Sequence, residues 1–258
     1  MKNLQPTALK IQDSIFRIFI FADSVPKFYL GFNPFLCDCE MDYLTKMSQL
    51  SLSGHYPHIM DLDKISCTII SHMNRSAPQI QQPLLETSAS QFLCQYQAHC
   101  FALCQCCDFF ACDCRMQCPA GCTCYHDSAW RQNVIECSTR DHLGVPLLIP
   151  MDANVIYLDG NNFRNFLQQS FIGRSKVRSL FLNSSKIVAI GRKTFNGLSE
   201  LEILHLENNW LEEIAGGEFE NLTSLQELYL HGNRIFHIDQ EAFANLSNLQ
   251  VNIYPLIA

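Results

Sequence analysis

The chain has 258 residues, a net charge of −7, 17% charged residues and 48% apolar residues. That balance excludes a wholly disordered chain, and the lack of any Lys or Arg run argues against nucleic acid or an anionic membrane surface as partner. All 14 cysteines fall between Cys37 and Cys137, so a stapled region adjoins a cysteine-free one, and the even count points to disulfides in an oxidising compartment.

Residues 1–24 carry no interpretable pattern. The apolar run SIFRIFIFA, Ser14 to Ala22, is short, is broken by Arg17 and follows Asp13, so it makes a poor signal peptide. No uncharged stretch approaches the ~20 apolar residues of a membrane span. Residues 25–36, VPKFYLGFNPFL, set Val25, Phe28, Leu30, Asn33 and Phe35 at offsets that return in full after residue 150.

Residues 37–94 hold Cys37, Cys39, Cys67 and Cys94, opening with NPFLCDCEMDYL. Residues 95–117 contain HCFALCQCCDFFACDC, six cysteines within His99–Cys114. Zinc is one reading, since Cys104, Cys106, Cys107, Cys112 and Cys114 with His99 could supply soft ligands. The spacing lacks paired C-x2-C, and cysteines on both sides favour oxidation, so structural disulfides are the preferred reading. The six bridge cysteines Cys100, Cys104, Cys106, Cys107, Cys112 and Cys114 allow many connectivities, and none is assigned. Residues 118–150 begin CPAGCTCYHDSAWRQNVIEC, with Cys118, Cys122, Cys124 and Cys137.

From residue 151 to 248 the sequence repeats every 24 residues: NVIYLDGNNF, VRSLFLNSSKI, LEILHLENNWL, LQELYLHGNRI. Leu158, Leu182, Leu206 and Leu230 fall in one column. Asn161, Ser185, Asn209 and Asn233 fall in a second, and Phe171, Phe195, Phe219 and Phe243 in a third. This is the leucine-rich-repeat pattern. The leucines point from a short strand into the core, the asparagines bond backbone groups at the turn, and the phenylalanines close the core from the convex side. One repeat cannot bury its own apolar face, so repeats stack into a solenoid. A fifth repeat starts near Leu249, but Asn252 sits where a core leucine belongs. Residues 249–258 therefore read as a truncated repeat, whether of a fragment, a splice form or a faulty gene model.

The expected fold is an α/β-type leucine-rich-repeat solenoid, with short parallel strands, an irregular convex side and disulfide-rich capping domains. NPFLCDCEMDYL resembles the start of a C-terminal cap of such arrays, and CPAGCTCYHD resembles an N-terminal cap. The resemblance implies the pairs Cys37–Cys67 and Cys39–Cys94 in the first cap, and Cys118–Cys124 and Cys122–Cys137 in the second. End-cap, bridge, start-cap and repeats in that order resemble the ectodomain of the long Toll receptors of arthropods. The family implies a protein ligand of the cystine-knot cytokine type, or another leucine-rich-repeat receptor, in innate immunity or development at the cell surface. No cytoplasmic TIR signalling domain is recognisable, so signalling by this chain alone is not expected. A secreted Slit-like adhesion or guidance protein is the nearest alternative, and a zinc-thiolate module the third.

No catalysis and no cofactor are expected. His126-Asp127 reads as a solvated turn, and Asp61 and Asp63 in MDLDK offer too little scaffold for acid–base work. Sequons stand at Asn74, Asn183, Asn221 and Asn245. On the strands, Tyr157, Phe181, His205 and Tyr229 form an outward column beside Asp159, Asn183, Glu207 and His231. Lateral stacking is the simpler reading of that column. A partner-contacting stripe with aromatic anchors is the functional one.

Overall fold

A computed structural model describes residues 27–39, 41–42, 44–46, 58–70, 80–100, 115–163 and 170–250. Outside them lie residues 1–24, the sequon Asn74, the bridge cysteines Cys104, Cys106, Cys107, Cys112 and Cys114, and residues 251–258.

The chain divides into two compact units. One comprises residues 1–94 with 126–131, and the other residues 95–125 with 132–258. In the first, β1 (Lys27–Phe28) pairs in parallel with β3 (His58–Ile59), and β2 (Phe35–Leu36) with β4 (Ser66–Thr68). β5 (Gln81–Pro83) runs antiparallel to β4. Leu30, Cys37, Met41, Leu44, Ile65, Cys67, Leu84 and Phe92 form its core. Asn33 Nδ2 donates to the carbonyl of Leu30 at 2.9 Å, the same i−3 bond that the repeat asparagines make below.

The second unit is built on strands two to five residues long. β7 (Ala98–Cys100) and β8 (Arg115–Gln117) form an antiparallel hairpin. The main sheet contains β6 (Leu93–Tyr96), β9 (Thr123–Asp127), β10 (Asn133–Glu136), β11 (Val155–Tyr157), β12 (Ser179–Phe181) and β13 (Ile203–His205). After β14 (Glu213–Ile214) comes β15 (Glu227–Tyr229), and the sheet order is β15-β13-β12-β11-β10-β9-β6. β14 pairs separately with β16 (His237–Ile238). From β10 to β15 the pairing is parallel and in register, so that Ile156, Leu180, Leu204 and Leu228 stand side by side. The first three are wholly buried. This is a leucine-rich-repeat solenoid of about four turns. Its convex side carries turns rather than helices among the described residues.

Two stacks of rings set its curvature. On the strand side, neighbouring rings lie 4.2–4.5 Å apart. On the convex side Phe171, Phe195, Phe219 and Phe243 follow at 6.3, 6.2 and 6.0 Å. Strand pairing fixes the inner spacing near ~4.8 Å, and the bulkier turns hold the outer edge wider, so the array bends towards the sheet.

The asparagine column closes each turn. Asn209 Nδ2 donates to the carbonyls of Leu182 and Leu206, both at 2.9 Å, while its Oδ1 accepts from the amides of Ser185 and Ile187 at 2.9 and 3.0 Å. Asn161 bonds Cys137 and Leu158 carbonyls, and Asn233 those of Leu206 and Leu230. Ser185 fills the same place with a hydroxyl that donates to Leu158 at 3.1 Å. The residue preceding each of these is left-handed: Gly160, Ser184, Asn208 and Gly232 have φ of 68, 56, 57 and 69°. At Gly232 a Cβ would sit 2.2 Å from Asn208 Oδ1, which explains glycine there.

Candidate functional site

The side chains at the ends of β11, β12, β13 and β15 point away from the core, because the inward positions are taken by the leucine column. Parallel register then aligns Tyr157, Phe181, His205 and Tyr229. Their rings make one continuous stack: Tyr157–Phe181 at 4.4 Å and 16°, Phe181–His205 at 4.5 Å and 13°, His205–Tyr229 at 4.2 Å and 3°. Phe181 is buried in the middle of the stack, and the other three are half-buried. The four candidate contact residues are therefore brought together on the concave face, and they stabilise the sheet laterally as well.

Carboxylates flank the column. His205 Nδ1 lies 3.0 and 3.1 Å from the two oxygens of Glu207, and the Tyr229 hydroxyl donates to Glu227 at 2.6 Å. At the cap end, β10 sets Glu136 directly beside Tyr157. Ser138 links two acids, its amide donating to Glu136 at 3.1 Å and its hydroxyl to Asp159 at 2.5 Å. Burial pushes the carboxyl of Glu136 above its usual value, and the charge of Asp159 adds to this. Burial does the same for Asp159, reinforced by Glu207 and eased by Ser138 and His205. Burial, with the charges of Glu136 and Asp159, raises the Tyr157 phenol to about 12.

The sequons fall on both sides. Asn183 is half-buried beside Asp159 and Glu207 on the concave face. Asn221 and Asn245 are exposed on the convex turns.

The cap cysteines are bonded as Cys37–Cys67, Cys39–Cys94, Cys118–Cys124 and Cys122–Cys137, with Cα separations of 5.1, 5.1, 5.7 and 4.5 Å. These lie within the usual Cα range of disulfides. Cys100 is also disulfide-bonded. Among the described residues, Cys122, Cys137 and His142 bring ligand-type atoms within 4.8 Å of one another. The two sulfurs are joined to each other, so they offer no thiolates and the group does not fit a metal ion in this state. Burial, then the charge of Arg140, holds His142 below the usual histidine value.

His99, a zinc candidate in the sequence, instead meets Asp152 Oδ2 through Nε2 at 2.8 Å. His126 and Asp127 are not a solvated turn. Asp127 is only 1% exposed, its Oδ1 accepts the amide of Arg131 at 2.6 Å, and His126 stacks on Trp130 at 3.7 Å. Asp61 serves the fold, accepting the amides of Leu30 and Gly31 at 2.8 and 2.9 Å, while Asp63 is exposed. Sequence reasoning missed Glu136, Glu227, Asn133 and Asp152. Glu227 alone carried a signal, since it lies in the 24-residue register one alternation from Tyr229.

Comparison with known proteins finds the leucine-rich-repeat family model matching residues 154–209 and 175–235. The chain is 41% identical over 197 residues to Toll-like receptor 7 of Drosophila melanogaster, covering 69% of this chain and 13% of that protein. It also matches a chain in the crystal structure of the TLR13–ssRNA13 complex, at 24% identity with a TM-score of 0.31, over 39% of this chain and 18% of that one.

Proposed function

The chain is a leucine-rich-repeat protein of the Toll receptor family, and from that premise we propose that it is an extracellular protein-interaction segment that binds through the concave face of its repeats. The observation that carries this reading is the stacked column from Tyr157 to Tyr229. It presents three half-open rings in a fixed line, already ordered and so cheap to engage. The bonded cap cysteines suit an oxidising, cell-surface location. Glycans on Asn221 and Asn245 would clothe the convex side and leave the sheet open. Family membership points to a cystine-knot cytokine-like ligand or another leucine-rich-repeat receptor as partner, in immune or developmental recognition.

Purified cystine-knot cytokines and leucine-rich-repeat ectodomains, passed over the immobilised secreted chain, test this. One of the two classes should bind, with Tyr229→Ala weakening it about tenfold and leaving the fold intact, and with Glu241→Ala on the turn side changing nothing. Binding indifferent to Tyr229→Ala removes the column as the contact. No binding by either class rejects the reading.

A further inference from the structure

We infer that the concave face takes a basic polypeptide segment, its arginine or lysine side chains meeting Glu136, Asp159 and Glu207 while its apolar side chains lie along the Tyr157–Tyr229 column. This deepens the contact-face reading and rests on it.

The first argument is charge sign. The outward columns starting at Val155, Tyr157 and Asp159 contain Glu207 and Glu227 besides Asp159, and no Lys or Arg. Glu136 extends the ring column at the cap end. Beside this track, Arg178 is exposed one position before Ser179, and Arg140 acts on Glu136. Histidines complete the set: His205 on Glu207, and exposed His231.

The second argument is solvation. An exposed carboxylate gains little from a partner's cation, because water already serves it. These carboxylates are half-buried: the side chain of Glu207 is 13% exposed. Glu136 and Asp159 also act on each other, as do Asp159 and Glu207, and burial raises the carboxyls of the first two. A cation arriving here relieves repulsion that the free protein carries.

The third argument is the apolar rail beside the acids. Asp159 and Glu207 lie two strands apart, ~10 Å by sheet spacing, within reach of long basic side chains from one extended segment. The same segment's alternate side chains then face the ring column. An acidic or neutral partner would bury the carboxylates unpaired, at a cost.

The test uses the whole secreted chain and a fluorescent peptide that alternates arginine with leucine, beside the same peptide carrying glutamate for arginine. The arginine peptide should bind at low salt and the glutamate peptide should not. The double variant Asp159→Asn with Glu207→Gln should weaken binding about tenfold. The charge-matched pair Glu220→Gln with Glu241→Gln, on the turn side, should change it less than twofold. Added salt should shrink the difference. A melting temperature that falls in neither double excludes misfolding. Equal weakening by the two doubles would mean general attraction to an acidic protein and overturns the inference. So does equal binding of the glutamate peptide; if Tyr229→Ala weakens that binding, the contact face stands and only its preference for a basic partner falls. Binding of neither peptide also overturns the inference, and cytokine binding that is lost on Tyr229→Ala would still leave the contact face intact.

Discussion

The Tyr96 hydroxyl donates to Oδ1 of Asn133 at 2.6 Å, deep in the second unit, where the two residues are 8% and 1% exposed. Asn133 Nδ2 passes the chain on to Asp152 Oδ1 at 2.9 Å, and Asp152 Oδ2 meets His99 at 2.8 Å. The His99 ring returns edge-on to Tyr96 at 5.0 Å. Burial holds the Tyr96 phenol proton far above its ordinary value. This network fastens the β7 strand to the start of the repeats through polar groups that are largely withdrawn from water.

Asn133→Ala removes the bonds that join Asn133 to Tyr96 and to Asp152, and should cost about 2–3 kcal/mol. Tyr96→Phe made together with Asn133→Ala should cost less than the two single changes summed, because both remove the same Tyr96–Asn133 bond. Denaturant unfolding of the four proteins measures the coupling, and strict additivity would dissolve the network.

Asn209→Ala removes four buried bonds at once. We expect a loss of about 3 kcal/mol or more. Asn233→Ala, in a half-buried place, should cost clearly less. Matching values from thermal melting would mean that burial does not set the strength of the ladder.

Cys39→Ser breaks the Cys39–Cys94 bond, which closes a separation of 55 residues. A bridge of that kind contributes about 2–4 kcal/mol, so secretion of the variant should fail. Secretion at the normal level with normal thermal stability would sink the capping role of this bond.

Glu136→Gln should raise the melting temperature at neutral pH. Burial raises the carboxyl on folding, so the folded chain prefers the proton. The stability from the protonated carboxyl is complete below its unfolded value of 4.5 and is lost as pH rises through the raised folded value. Glutamine imitates the protonated form, so its gain should vanish near pH 4. Asp159→Asn should behave alike, relative to an unfolded value of 3.8. A gain that persists in acid would assign the effect to something other than charge burial.

The solenoid could be read from sequence because each repeat states the same pattern at a spacing of 24. Leu206, Asn209 and Phe219 each had counterparts one repeat away, and so did the ring column. Glu136 could not be read this way. It lies beside Tyr157 through the β10–β11 register, yet it is 21 residues distant and belongs to the cap rather than to the period. The left-handed column stayed hidden because glycine, serine and asparagine each satisfy it in turn at Gly160, Ser184 and Asn208. Asp127 looked like surface because sequence does not reveal which backbone amide will turn back to claim its carboxylate. Asn133 and Asp152 meet only through tertiary packing, and no spacing announces that.

The most direct test of the account, an oxidised extracellular receptor segment stapled around its repeats, is the intact mass of the deglycosylated, non-reduced chain secreted from animal cells, with and without thiol alkylation. All 14 cysteines paired as disulfides predicts a mass lower by one hydrogen per cysteine, with no alkylation and no retained metal. Several alkylated thiols, or zinc that survives purification, would contradict it and make the stretch His99–Cys114 a metal or redox site instead.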